Sequence, residues 1–246
     1  MKSIITSFIF VGLILLSSCK ERVDTTPNHY FQIKVVPLFN GEEMELNTGY
    51  TGVDNVGYKF ERIAFFATNL NANNNGATKE GALFNFEKND YLYKGKNLVN
   101  DLLELQFFLG VNYHLNHQDP TVFGNDEDLN IANVDGLHWG WDPGYIFIAV
   151  EGKADTLMDG QENYDHSFVY HVGKDVNLRS MSFTNVTTKE INDSTHCAYL
   201  YLEMHDFFYG STDTIHVNSE HSIHEGGQMD VLAQKALNNF EKSLTK

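Results

Sequence analysis

Residues 136–152 read GLHWGWDPGYIFIAVEG (Gly136 to Gly152), and this stretch decides how the rest of the chain folds. Asp142-Pro143-Gly144 spells a tight turn, because Pro presets φ at the second position and Gly accepts positive φ at the third. Immediately after it, Tyr145 to Val150 is aromatic or β-branched and almost wholly apolar, the pattern of a strand buried on both faces. With the residues before the turn extended, Trp139 and Trp141 point to one face while His138 and Gly140 point to the other. Two indoles then stand side by side at the mouth of a buried strand.

Outward from this strand the chain is mostly short extended runs between turn residues. Tyr30 to Leu38 is a first strand closed by Pro37 and Asn40-Gly41, and Tyr58 to Leu70 is a longer one followed by an Asn-rich turn, Asn69 to Gly76. Gly81–Phe86 and Tyr91–Tyr93, separated by Asn89-Asp90, read as a hairpin. Leu102–Val111 fits helix or strand by pattern, and its aromatics and Gly110 favour strand. A polar loop from Asn112 to Asp135 is long enough to expect a function of it. Beyond the tryptophan strand, His166–Val172 alternates, with Ser167, Val169 and His171 on one face and Phe168, Tyr170 and Val172 on the other. Arg179–Val186 and Thr195–Phe208 add strands, Thr212–Val217 a short edge strand. Only Gly226–Leu244 has helical apolar spacing, through Met229, Leu232, Ala233, Ala236, Leu237, Phe240 and Leu244. Many short strands and one amphipathic C-terminal helix predict a mainly β fold, an antiparallel β-sandwich, as a single domain over residues 30–246.

Residues 1–18 predict a signal peptide: Lys2, then an apolar run of about 13 residues, too short to cross a bilayer of roughly 30 Å. Its Leu16-Ser17-Ser18-Cys19 ending resembles a bacterial lipobox, which implies cleavage before Cys19 and lipidation of that thiol. Residues 19–29 then form a polar tether, and the acyl chains hold the protein to a cell-envelope membrane without spanning it. Cys197 is the other of two cysteines, so no internal disulfide remains, and its alternating surroundings suit a buried small hydrophobe. With 17 Lys and Arg against 33 Asp and Glu, a formal charge of −16, the surface repels phosphate backbones. Nucleic acid is excluded as a partner; metal ions and neutral sugars are not.

Ten of the eleven histidines lie between positions 114 and 224, several in loops or at strand ends, where binding residues concentrate. His114 and His117 lie in the loop leading to the tryptophan strand, and His171 closes its own strand. Neutral imidazole suits copper or zinc, and without a thiolate pair copper fits at least as well as zinc. An imidazole in so acidic a chain also has a plain role, bonded to a carboxylate. No H-E-x-x-H, paired C-x-x-C or G-x-S-x-G occurs. Asp126, Asp128 and Asn130 match part of a calcium loop that lacks its Gly at position six and Glu at twelve. Trp139 and Trp141 suit either a core or a stacking platform for a sugar ring.

The segments FFLGVNYHLNHQDPT, HWGWDPGYIFIAVEG and FVYHVG, in this order, resemble the core of the methanobactin-associated, MbnP-like family. The final helix preceded by His221-Ser222 is similar to its Bacteroidetes-type branch. The resemblance implies a periplasmic or surface-exposed β-sandwich that binds one copper ion and is not an enzyme. It also implies that a tryptophan, Trp139 or Trp141, is oxidised to kynurenine by a partner di-haem peroxidase-like enzyme. It places His117 at the family's Leu-Asn-His position and His171 at its His-x-Gly position, with His114 and His221 as further candidate donors. The competing expectation is a surface glycan-binding lipoprotein that stacks sugars on the same indoles. Metal-assisted hydrolysis with Asp119 or Asp142 as base comes third.

Overall fold

The computed structural model describes residues 30–73, 75–76, 80–88, 92–95, 104–140, 143–157, 159, 161–210, 213–224 and 230–246. The leader, the tether with Cys19, Trp141, Asp142 and Met229 lie outside the described residues.

Two sheets enclose one core. In the first, β1 (Tyr30–Phe39) runs parallel to β13 (Thr195–Glu203), with β12 (Thr188–Asn192) antiparallel on the far side of β13. Short pieces β2 (Glu42–Glu43), β7 (Leu92–Gly95) and β15 (Leu244–Thr245) complete it. The second sheet has the order β11 (Arg179–Thr184), β8 (Glu104–Leu109), β4 (Gly57–Ala72), β9 (Ile146–Asp155), β10 (His166–Gly173) and β14 (Ser222–Ile223). Alongside β4 lie β3 (Gly49–Thr51), β5 (Asn75–Gly76) and β6 (Gly81–Asn85). Both sheets are mixed rather than purely antiparallel, since β1–β13 and β10–β14 are parallel pairs.

The space between the sheets is filled by Ile33 and Val35 of β1, Phe60, Ile63 and Phe65 of β4, Ile148 and Val150 of β9, and Ala198, Leu200 and Leu202 of β13. The long helix α3 (Val231–Ser243) closes this core with Ala233, Ala236, Leu237 and Phe240. Asp230 caps it, its side chain accepting the Ala233 N–H at 3.0 Å. Two one-turn helices were not legible as such: α1 (Tyr113–Asn116) inside the polar loop, and α2 (Met204–Phe208), where the expected strand to Phe208 turns helical. The Gly81–Phe86 and Tyr91–Tyr93 hairpin does not form. β6 pairs with β4 and β7 with β1, so the two segments belong to different sheets. The expected edge strand at Thr212–Val217 reduces, among described residues, to one bridge between Tyr209 and Thr214.

β9 is buried on both faces because a second apolar cluster covers the outer side of the second sheet. Tyr145, Phe147 and Ala149 meet Ala64 and Phe66 of β4 there, under Leu115, Leu129, Val134 and Leu137. The polar-looking loop 112–140 is thus folded onto the sheet by a few apolar anchors, and it carries Trp139 with it.

Candidate metal centre

The tryptophan segment reverses as its turn residues dictate. Trp139 N–H donates to the Gly144 carbonyl at 2.9 Å and Ile146 N–H to Leu137 at 3.0 Å, so the residues on either side of the turn pair as a short ribbon. The Trp139 indole is half-buried against the second cluster. It rests on Gly173 at the end of β10, where a β-carbon would lie 2.6 Å from Cζ3 of the indole and 2.5 Å from the Tyr145 carbonyl. Glycine is required there by this close approach.

His171 lies two residues before Gly173 and therefore on the same face of β10, roughly 7 Å along the strand. Its Nε2 is 2.8 Å from Oε1 of Glu151 on the neighbouring β9. Glu151 also accepts from Arg62 at 3.3 Å, which a bulge between Phe60 and Arg62 delivers to the outer face. Arg62 continues to Asp135 at 3.3 Å, and Asp135 to Lys88 at 2.7 Å and Asn85 at 2.8 Å. The His171 hydrogen bond, helped by Arg62, outweighs burial and holds the Glu151 carboxyl below its ordinary range. Burial alone would raise Asp135, but Lys88, Asn85 and Arg62 bring it below the usual carboxylate range.

His117 is held by the chain just after Gly173. Its Nε2 is 2.7 Å from Oδ2 of Asp175, two residues beyond Gly173. The other Asp175 oxygen accepts from Asn116 Nδ2 at 2.9 Å, while Asn116 Oδ1 accepts the Tyr145 N–H at 2.9 Å. Asn116 is 1 % exposed, so one buried amide ties α1, the tryptophan strand and the turn after β10 together. An ionised carboxylate only accepts, so Nε2 is the donor nitrogen in both contacts.

The other candidates fall elsewhere. His114 is exposed and 3.0 Å from Gln118 Nε2. His221 meets His166, ring centroids 5.1 Å apart, and both have the opposite strand parity to His171. Trp141 lies outside the described residues. Asp128 accepts the Leu83 N–H at 3.0 Å and Asn130 braces Phe123 and Ala132, so two members of the partial calcium loop pin the loop itself. Asp119 is held below the usual range by the Thr121 N–H, which weakens it as a base. Cys197 is buried, and burial pushes its thiol up, away from thiolate character. Among the described residues, no three His, Cys, Asp or Glu side chains form a ready-made metal cage.

Several participants escaped the sequence reading. Asp175, Glu151 and Asn116 are the partners that orient the two imidazoles, and nothing in their spacing announces it. His224 has its ring 5.7 Å from that of His171. His138 accepts the Gly140 N–H at 3.0 Å, sits edge-on to Tyr145 and has its pKa lowered by burial. With Asp119, Pro120, Thr121, Ile131 and Gly140 it lines a groove of about 290 Å³.

The fold has a counterpart of known structure. MbnP from Methylosinus trichosporium superposes with a TM-score of 0.54 at 13% sequence identity, covering 85% of this chain and 86% of that one. No curated protein matches the sequence. The MbnP family model matches residues 28–225, a span that takes in β1 to β14. The chain belongs to the MbnP family.

Proposed function

We propose that this member of a copper-associated family is a lipid-anchored protein of the cell envelope that binds one copper ion beside Trp139 for acquisition or handling. The observation that carries the reading is the pair of imidazole–carboxylate contacts, His171 with Glu151 and His117 with Asp175, set two residues before and two residues after the glycine that seats the Trp139 indole. A metal-bound histidine almost always donates its other ring N–H to a carboxylate or carbonyl, which fixes its tautomer and raises its basicity. Both rings already have that arrangement, so the donors fit copper. His171 and His117 would supply nitrogen ligands, with His224 next to His171 as an added donor.

Imidazoles alone leave the set incomplete, and a further donor would be the indole after oxidation. Addition of two oxygen atoms across the pyrrole ring and hydrolytic loss of the formyl carbon leave kynurenine, whose aniline nitrogen is a ligand an indole lacks. The oxidant would come from a partner haem enzyme of the di-haem peroxidase type. Bound copper supplies a soft, redox-capable cation held by nitrogen. The protein's part would be to hold both rings by their carboxylate partners and to keep the indole half-exposed. Lipid at Cys19 would tether the domain to the membrane.

Metal analysis of protein purified from its native host tests this. The expected content is roughly one copper per chain, lost on chelation; zinc or no metal contradicts the reading.

A further inference from the structure

We propose that His166 and His221 form a second, separate binding site for a late first-row divalent cation such as Zn²⁺ or Cu²⁺, open to water on the rim of the opposite sheet face. β10 and β14 run parallel with Val169 opposite Ser222 and Tyr170 opposite Ile223. Strand parity puts His166 with Phe168 and Tyr170 and His171 on the other face, and the ring contacts place His221 with His166 and His224 with His171. This site is independent of the one beside Trp139.

The two rings stand 5.1 Å apart between centroids and nearly perpendicular, at 87°. Metal–nitrogen bonds of about 2.0 Å at a tetrahedral angle place two coordinated imidazole centroids roughly 5 Å apart. The pair therefore needs ring rotation rather than backbone movement to chelate. Its nitrogens are also uncommitted: among the described residues neither ring is hydrogen-bonded, in contrast to His114, His117, His138 and His171.

Both backbones are fixed. Val169 N–H donates to the His221 carbonyl at 2.8 Å. The preceding Glu220 accepts at its carbonyl from Tyr170 Oη at 2.6 Å, and its carboxylate accepts from Lys235 at 2.7 Å and the His216 N–H at 2.8 Å. His166 begins β10 opposite Ala154. Its neighbour Asp165 is held in place by accepting the Thr156 N–H at 3.1 Å. The pair lies in a chain of formal charge −16, which favours cations. Two protein nitrogens and water predict micromolar rather than structural affinity and fast exchange, as for an entry or delivery site.

The test is calorimetric titration of the full chain with Zn²⁺, alongside His166→Gln, His221→Gln and His171→Gln, with thermal melts to confirm folding. Either of the first two variants should weaken one class of site by about tenfold or more, and His171→Gln should leave that class intact. Cu²⁺ loaded at this site in His171→Gln should show hyperfine coupling to two imidazole nitrogens by electron paramagnetic resonance. Titrations unchanged in His166→Gln and His221→Gln, or loss of the same class in His171→Gln, overturn the proposal. Neither result bears on the Trp139 site, whose test is copper content.

Discussion

The six-membered ring of the Trp139 indole takes the space that a β-carbon on Gly173 would need, 2.6 Å from Cζ3, so the end of β10 is shaped to seat a tryptophan. Gly173→Ala would bring a methyl group against both the indole and the Tyr145 carbonyl. Neither is a flexible chain end, so the site must open. A loss of about 1–3 kcal/mol in stability is expected, with a shifted tryptophan emission from the displaced ring. Urea unfolding followed by fluorescence measures both.

Asn116 is the second structural hinge of the site. Asn116→Ala strips the Tyr145 N–H of its acceptor inside the protein and Asp175 of a donor. An orphaned buried donor costs about 1–3 kcal/mol. The same variant should weaken copper binding, because Asp175 then orients His117 less firmly. Denaturant melts and copper titration of one preparation report the two effects together.

Much of the frame was visible in the sequence. β10 and β13 announced themselves by alternation and α3 by its apolar stripe, because each faces one continuous core, and β4 was legible as one long strand. What escaped was decided by distant contacts. The 112–135 loop reads as polar, yet four well-spaced apolar residues, Leu115, Leu129, Val134 and, just beyond it, Leu137, suffice to fold it down onto the second sheet. Parallel pairing of β1 with β13 links the first strand to one about 160 residues later, which no local pattern encodes. At the site, His117, His171 and Trp139 were legible as residue types suited to copper, whereas their carboxylate partners were not. Glu151 and Asp175 look like ordinary surface acids until the sheet register places them.

Acid should loosen this arrangement in a defined order. The folded-state pKa values of Glu151 and Asp135 lie below their ordinary values of 4.5 and 3.8. A depressed carboxyl contributes stability above its unfolded pKa and loses it as pH falls through the folded one. Stability should therefore decline as pH drops below about 4.5, and Glu151→Gln should flatten part of that decline. Thermal melts from roughly pH 2.5 to 6 measure it.

Oxidation of one tryptophan leaves a signature in mass. Protein from its native host should exceed the calculated mass of the processed chain by roughly 4 Da, one oxygen gained and one carbon lost, a change distinct from the sulfur oxidations. Peptide mapping should locate it at Trp139 or Trp141. Protein made without the haem partner should lack it.

Copper titration of His171→Ala and His117→Ala against the unaltered protein tests most directly the proposal that both imidazoles serve one copper site beside Trp139. Each substitution should weaken copper binding by about tenfold or more while the fold persists. Unchanged affinity in both variants would contradict it.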